Sequence, residues 1–173
     1  MTKKYKVRIV GVSPLIQNRF SIEESMQKGR KKQIPSPEEE CEKALYKTEA
    51  GEVYLPNLWI KTAMVKAATD FKMEGKKSYK EYIKAGIVVE PEQIPLKADK
   101  YEVFVSRCVI QRAAIAKARP KFKTWEAEFE IELLDEMLNP TIVKEILDAA
   151  GRFKGIGDWR PEHGRFKVEK FEL

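Results

Sequence analysis

The residues best equipped for chemistry lie near the end of the chain, in Gly151–Phe166, GRFKGIGDWRPEHGRF. Four glycines, three arginines, the only histidine and Trp159 fall within this stretch. Guanidinium groups bind phosphates bidentately. An aromatic ring stacks on a nucleobase for about 1–3 kcal/mol, and glycine lets a backbone approach another molecule closely. Arg152, Lys154, Arg160 and Arg165, with exposed loop amides, are therefore expected to hold a phosphate backbone, and Trp159 to stack on a base. The competing reading is structural: Trp159 and Phe166 pack the loop onto the core while Asp158 pairs with an arginine. Gly155-Ile156-Gly157 is not a dinucleotide fingerprint, because it follows a helix and precedes a strand, the reverse of the required context. His163 has the ordinary pKa range of a general base, but no partner is marked in the sequence, so no catalytic residue is assigned.

Charge extends the pattern. Residues 1–35 carry nine Lys/Arg and two Glu, a net +7, which leaves −1 for the remainder of a chain whose formal charge is +6. Lys28, Arg30, Lys31 and Lys32 form one basic run, and Arg112, Lys117, Arg119, Lys121 and Lys123 form a second with no acid among them. Such clustering favours a polyanionic partner, against the plain alternative of solvated lysines. Arg19, between Asn18 and Phe20, makes a further polar-aromatic group. Glu126, Glu128, Glu130 and Glu132 recur at spacing two. They read as a solvated sheet face that repels phosphate, as Mg²⁺ ligands, or as a contact for a basic segment of a neighbouring copy. No metal site and no cofactor are expected. Cys41 and Cys108 lack metal-ligand spacing and point to a reducing compartment.

Positioning these groups requires elements that the patterning supplies. Lys4–Val12 alternates as a strand, and residues 13–52 read as an insertion or mobile loop after it, with a short helix at Pro37–Lys47. A brief strand at Val53–Leu55 leads to a helix from Pro56 and Asn57, buried along Ile60, Ala63, Met64, Ala67 and Phe71. Ser78 and Glu81 suggest a capping box for a short helix through Ala85. Tyr101–Gln111 and Thr124–Leu133 read as strands, and Arg112–Lys123 as a basic link or finger in which Pro120 disfavours a central strand. Asn139 and Pro140 start a helix with Ile142, Val143, Ile146, Leu147 and Ala150 inward. Gly151 stands at its C-terminal glycine position, and Phe166, Val168 and Phe171 mark a last strand. The expected architecture is one α+β domain over 1–173, a ferredoxin-like βαββαβ antiparallel sheet with helices on one face. No apolar run reaches the roughly 20 residues of a membrane span, so a cytoplasmic protein of a bacterial, archaeal or phage-infected cell is expected.

On KVRIVGVSPLIQNRF, on YLPNLWIKTAMVKAA and on the terminal helix running into the Gly/Arg loop, the chain resembles the RAMP superfamily, the ferredoxin-like RNA-binding proteins of CRISPR complexes. Pro56–Ala67 matches the family's Pro-led helix and Gly151–Phe166 its glycine-rich loop, although Thr62–Met64 stands where that helix often carries glycine. From about Tyr5 to Phe171 the chain is also similar to small phage- and prophage-encoded proteins whose loop ends in Gly-Arg-Phe. The resemblance implies a non-enzymatic protein that binds single-stranded RNA or DNA in repeated copies, as a homo-oligomer or filament, away from membranes. It leaves two alternatives: a metal-independent endoribonuclease using His163 on a ribose 2′-hydroxyl, and a phage structural or assembly protein.

Overall fold

The structure is a computed structural model that describes residues 2–21 and 34–173. Lys28, Arg30, Lys31 and Lys32 lie outside the described residues. Along the chain come β1 (Lys3–Gly11), β2 (Leu15–Ile16), α1 (Pro37–Ala44), β3 (Tyr54–Pro56), α2 (Asn57–Ala67), α3 (Lys80–Gly86), β4 (Ile87–Glu90), β5 (Gln93–Ala98) and β6 (Glu102–Ile110). β7 (Ala113–Phe122), β8 (Trp125–Leu133), α4 (Pro140–Ala149) and β9 (Phe166–Glu172) complete it. The fold is α+β with two antiparallel sheets.

The larger sheet is six-stranded, in the order β3-β5-β8-β1-β9, with β4 also against β8. β4 and β5 share one side of β8: Ile87–Glu90 lie opposite Leu133 to Glu130, and Leu96–Ala98 opposite Ala127 to Trp125. The alternation in β1 and β8 turns Tyr5, Val7, Ile9, Trp125, Ala127, Phe129, Ile131 and Leu133 to one face, all buried. On this face lie the helical stripes Ile60, Ala63, Met64 and Ala67 of α2 and Val143, Ile146 and Leu147 of α4, in the same core cluster. Each large aliphatic buried there contributes about 1.5–3 kcal/mol.

The opposite face is charged, and the glutamate row is not left alone on it. Register places Lys4, Lys6 and Arg8 of β1 across from Glu132, Glu130 and Glu128. Lys4 reaches Glu90 at 2.7 Å and Glu132 at 3.8 Å, Arg8 pairs with Glu126, and Lys97 reaches Glu128 at 3.6 Å. The row is thus part of a mixed-charge lattice with cations of β1 and β5.

Residues 99–124 depart from the expected topology. Tyr101–Gln111 is not a strand of the main sheet; its strand, β6, pairs with β7 in a separate sheet of order β2-β7-β6. The place beside β8 belongs to β4 and β5, whose strand character is masked in the sequence by Pro91 between them and Pro95 within β5. The basic link is itself strand β7, and Pro120 lies in its shared part, opposite Val103 of β6 and accepting from the Gln17 N–H at 3.2 Å. Gln111 and Arg112 form the two-residue turn at the tip, with φ of 50° and 66°.

The described part of the insertion is packed, not loose. Leu15, Ile16 and Gln17 are fully buried, and α1 lies on β7. Glu40 accepts from the Ala118 N–H at 2.7 Å and from Lys117 at 3.2 Å, closing the edge of β7 where β2 has ended. The capping box forms at Ser36 and Glu39. At Ser78–Glu81 it does not: Tyr79 is the N-cap residue and makes no side-chain cap. No helix among the described residues is long and apolar enough to cross a membrane.

Candidate nucleic-acid interface

The Gly/Arg loop is held by its own main chain. After α4 the helix runs on through a π-turn, Ala150–Lys154, and Gly155, not Gly151, ends it with φ 70°. Gly151 serves packing instead, since a Cβ there would lie 2.3 Å from the Phe166 carbonyl oxygen. Ile156 N–H donates to Gly164 O at 2.9 Å, Asp158 N–H to Ile16 O at 2.9 Å, His163 N–H to Trp159 O at 2.9 Å and Gly164 N–H to Pro14 O at 2.8 Å. Arg165 N–H donates to Ser13 Oγ at 3.0 Å. The amides of Ile156, Asp158, His163, Gly164 and Arg165 are therefore occupied and do not belong to the expected cradle of exposed loop amides; the glycines here allow close chain packing.

Trp159 lies outside the core, 46% exposed. Its ring meets Phe104 of β6 edge to face, with centroids 6.0 Å apart. Lys121 Nζ stands 5.3 Å over the same ring and His163 packs 5.9 Å from it. Phe104 thus joins the C-terminal loop to the basic face of the hairpin. His163 Nδ1 is buried without a partner among the described residues, so that nitrogen is closed to a bound ribose.

Two cavities share Asn18 in their linings. The larger, about 850 Å³, is lined by Arg19, Phe20, Lys43, Lys117 and Arg119, with Glu40 at its side. The smaller, about 280 Å³, is lined by Tyr46, Trp59, Thr62, Lys66, Gly157, Asp158 and Arg160. With Asn18 common to both, the pair forms the candidate groove: its larger part carries Arg19, Lys43, Lys117 and Arg119 beside Glu40, and its smaller part the rings of Tyr46 and Trp59 beside Lys66, Arg160 and Asp158. Two other cavities, about 560 and 670 Å³, lie toward the Leu133 end of β8 beside Asp135 and Glu136, whose charge disfavours a polyanion.

Gln17, next to Asn18, anchors this segment to the chain around it. Fully buried, it accepts from the Tyr46 N–H at 2.9 Å and donates to Tyr54 O at 2.9 Å, while Arg19 N–H donates to Ala44 O at 2.9 Å. Gln17→Leu leaves a buried donor and acceptor unmatched, and is expected to cost about 2–4 kcal/mol in urea unfolding. An unfolding midpoint equal to wild type would show that these bonds do not hold the segment.

Of the sequence-predicted residues, Arg19, Lys117, Arg119 and Arg160 line the groove, and Lys121 and Trp159 meet at Phe104. The others stand apart. Arg112 is at the hairpin tip, Lys123 pairs with Glu102 at 2.8 Å, and Lys154 reaches Asp70 at 3.7 Å. Arg152 lies 5.2 Å over Phe153, and Arg165 is exposed beyond Gly164. Sequence reasoning missed Phe104, Lys43, Tyr46, Trp59 and Lys66. Trp59, Thr62 and Lys66 follow helical spacing i, i+3, i+7 beside the apolar stripe of α2, which was the available signal.

Burial pushes the Cys41 thiol up, away from the reactive thiolate, with Glu38 and Glu40 adding to the effect. Burial, then Tyr54, raises the Tyr46 phenol, so it stays a neutral donor. No protein-family model matches this sequence, and no match is found among curated proteins.

Proposed function

We propose that this protein binds single-stranded RNA or DNA without catalysing its cleavage, on a ferredoxin-like core of RAMP type. The core assignment is supported by the order β4/β5-β8-β1-β9, the arrangement of a βαββαβ unit, with α2 and α4 as the crossovers and the β6–β7 hairpin inserted between its second and third strands. The observation that carries the function is the groove joined at Asn18, where Arg19, Arg119, Lys117 and Lys43 adjoin the aromatic wall of Trp59 and Tyr46. Cations for the backbone and rings for the bases are the two requirements of single-strand binding. Assembly in repeated copies belongs to the same reading. β6 is the last strand of its sheet and exposes Val103, Val105 and Val109, an edge suited to lateral pairing.

A filter-binding titration with 20-nucleotide RNA and DNA at two ionic strengths tests this. The affinity is expected to fall steeply as salt rises, with a logarithmic slope of about −0.7 per phosphate contacted. Absence of binding to any oligomer, or tight binding indifferent to salt, overturns it.

A further inference from the structure

Asp158 is the anomaly of the groove. Its carboxylate belongs to a half-buried residue in the smaller cavity, where the other charged lining residues are the cations Lys66 and Arg160. Among the described residues the side chain has no hydrogen-bond or ion-pair partner, while its N–H is tied to Ile16 O at 2.9 Å. A fixed, unpaired carboxylate repels phosphate, so this end of the groove is built for something other than the backbone. Its walls are aromatic: Tyr46 and Trp59 stand edge to face with centroids 5.1 Å apart. At about 280 Å³ the cavity falls just under the roughly 300–1,000 Å³ of sites for drug-sized ligands, and suits one flat ring system.

A carboxylate only accepts hydrogen bonds. Among the bases, guanine alone presents two adjacent donors, N1–H and the N2 amino group, on its Watson–Crick edge. Adenine and cytosine set an acceptor nitrogen beside their donor, and uracil or thymine sets one donor between two carbonyls. We propose that the cavity between α2 and Gly157–Arg160 is a guanine-selecting subsite of the groove. Asp158 accepts both donors of a splayed-out base, the aromatic wall contacts the ring, and Lys66 and Arg160 take the flanking phosphates. An arginine side chain from a protein partner has the same donor pattern, but those two cations oppose its entry.

The inference rests on the single-strand reading above, and its test separates the two. Fluorescence anisotropy is measured with a 12-nucleotide uridine RNA, the same RNA with one central guanosine, adenosine, cytidine or inosine, and thymidine DNA counterparts. The guanosine oligomer is expected to bind about tenfold tighter than the adenosine one, with inosine, which lacks the N2 amino group, in between. Asp158→Asn brings the guanosine, adenosine and inosine oligomers to equal affinity, and a thermal melt of the variant checks that it remains folded. Equal affinity for all substituted oligomers overturns the subsite but leaves the groove reading standing, whereas no binding to any oligomer defeats both. Binding of an arginine-containing peptide that Asp158→Asn abolishes, with no guanosine preference, also overturns it.

Discussion

Removing Arg19 and Arg119 together is expected to weaken single-strand binding about tenfold to a hundredfold, the largest functional effect of any pair of substitutions in this chain. Both side chains line the larger cavity, and a hydrogen bond to a charged group contributes about 1.5–3 kcal/mol when formed. The sharper readout is the salt dependence: two lost phosphate contacts flatten the logarithmic slope by roughly 1.4. Arg112→Ala provides the comparison. Arg112 carries the same charge at the hairpin tip, outside both cavities, and its loss is expected to leave the affinity close to wild type. If Arg112→Ala weakens binding as much as the double variant, the strand runs over the hairpin tip and the groove is not its path.

The largest structural effect is expected at Gly164. Its φ is +78°, and a Cβ there would lie 1.7 Å from the Ile156 carbonyl oxygen. The left-handed conformation alone costs a non-glycine residue about 1–2 kcal/mol. The clash adds to this because Ile156 and Gly164 are joined by a hydrogen bond and neither backbone can retreat. Gly164→Ala is expected to lose about 4 kcal/mol or more, a large part of the roughly 5–15 kcal/mol that holds a domain together. Gly75→Ala isolates the conformational part, since Gly75 has φ +88° with nothing within 4 Å of the added carbon. Its expected cost is only about 1–2 kcal/mol. Equal midpoints for the two variants in urea would mean that the loop relaxes around the methyl group, and that its close packing is not what fixes Trp159 and Arg160 in place.

Where local periodicity decides structure, the elements were legible in advance. The alternation in β1 and β8, the stripes of α2 and α4, and the Asn139-Pro140 helix start all formed as their patterns dictate. The misreadings have local causes too. β4 and β5 were hidden by Pro91 and Pro95, which subtract from strand character although the strands still pair with β8. With no candidate there, β6 was assigned to the main sheet, because a strand's own residues do not state which partner it will pair with.

The candidate site divides in the same way. Its residue types were legible: arginines, lysines and an aromatic ring at stretches rich in charge. Which cations act together was not, because Arg19, Arg119 and Arg160 lie far apart in the chain and meet only when β2, β7 and the C-terminal loop pack around Asn18. By itself, the sequence determined a basic α+β chain with its helices, its two main central strands and a glycine-dense loop, since these follow from propensity, spacing and charge. The tertiary structure alone decided that the amides of Ile156, Asp158, His163, Gly164 and Arg165 are bonded internally, that Lys4 and Arg8 of β1 and Lys97 of β5 pair with glutamates of the row, and that Asp158 lines an aromatic cavity. The reason is physical: hydrogen bonding, charge pairing and cavity shape arise between segments distant in sequence, and no local pattern carries them.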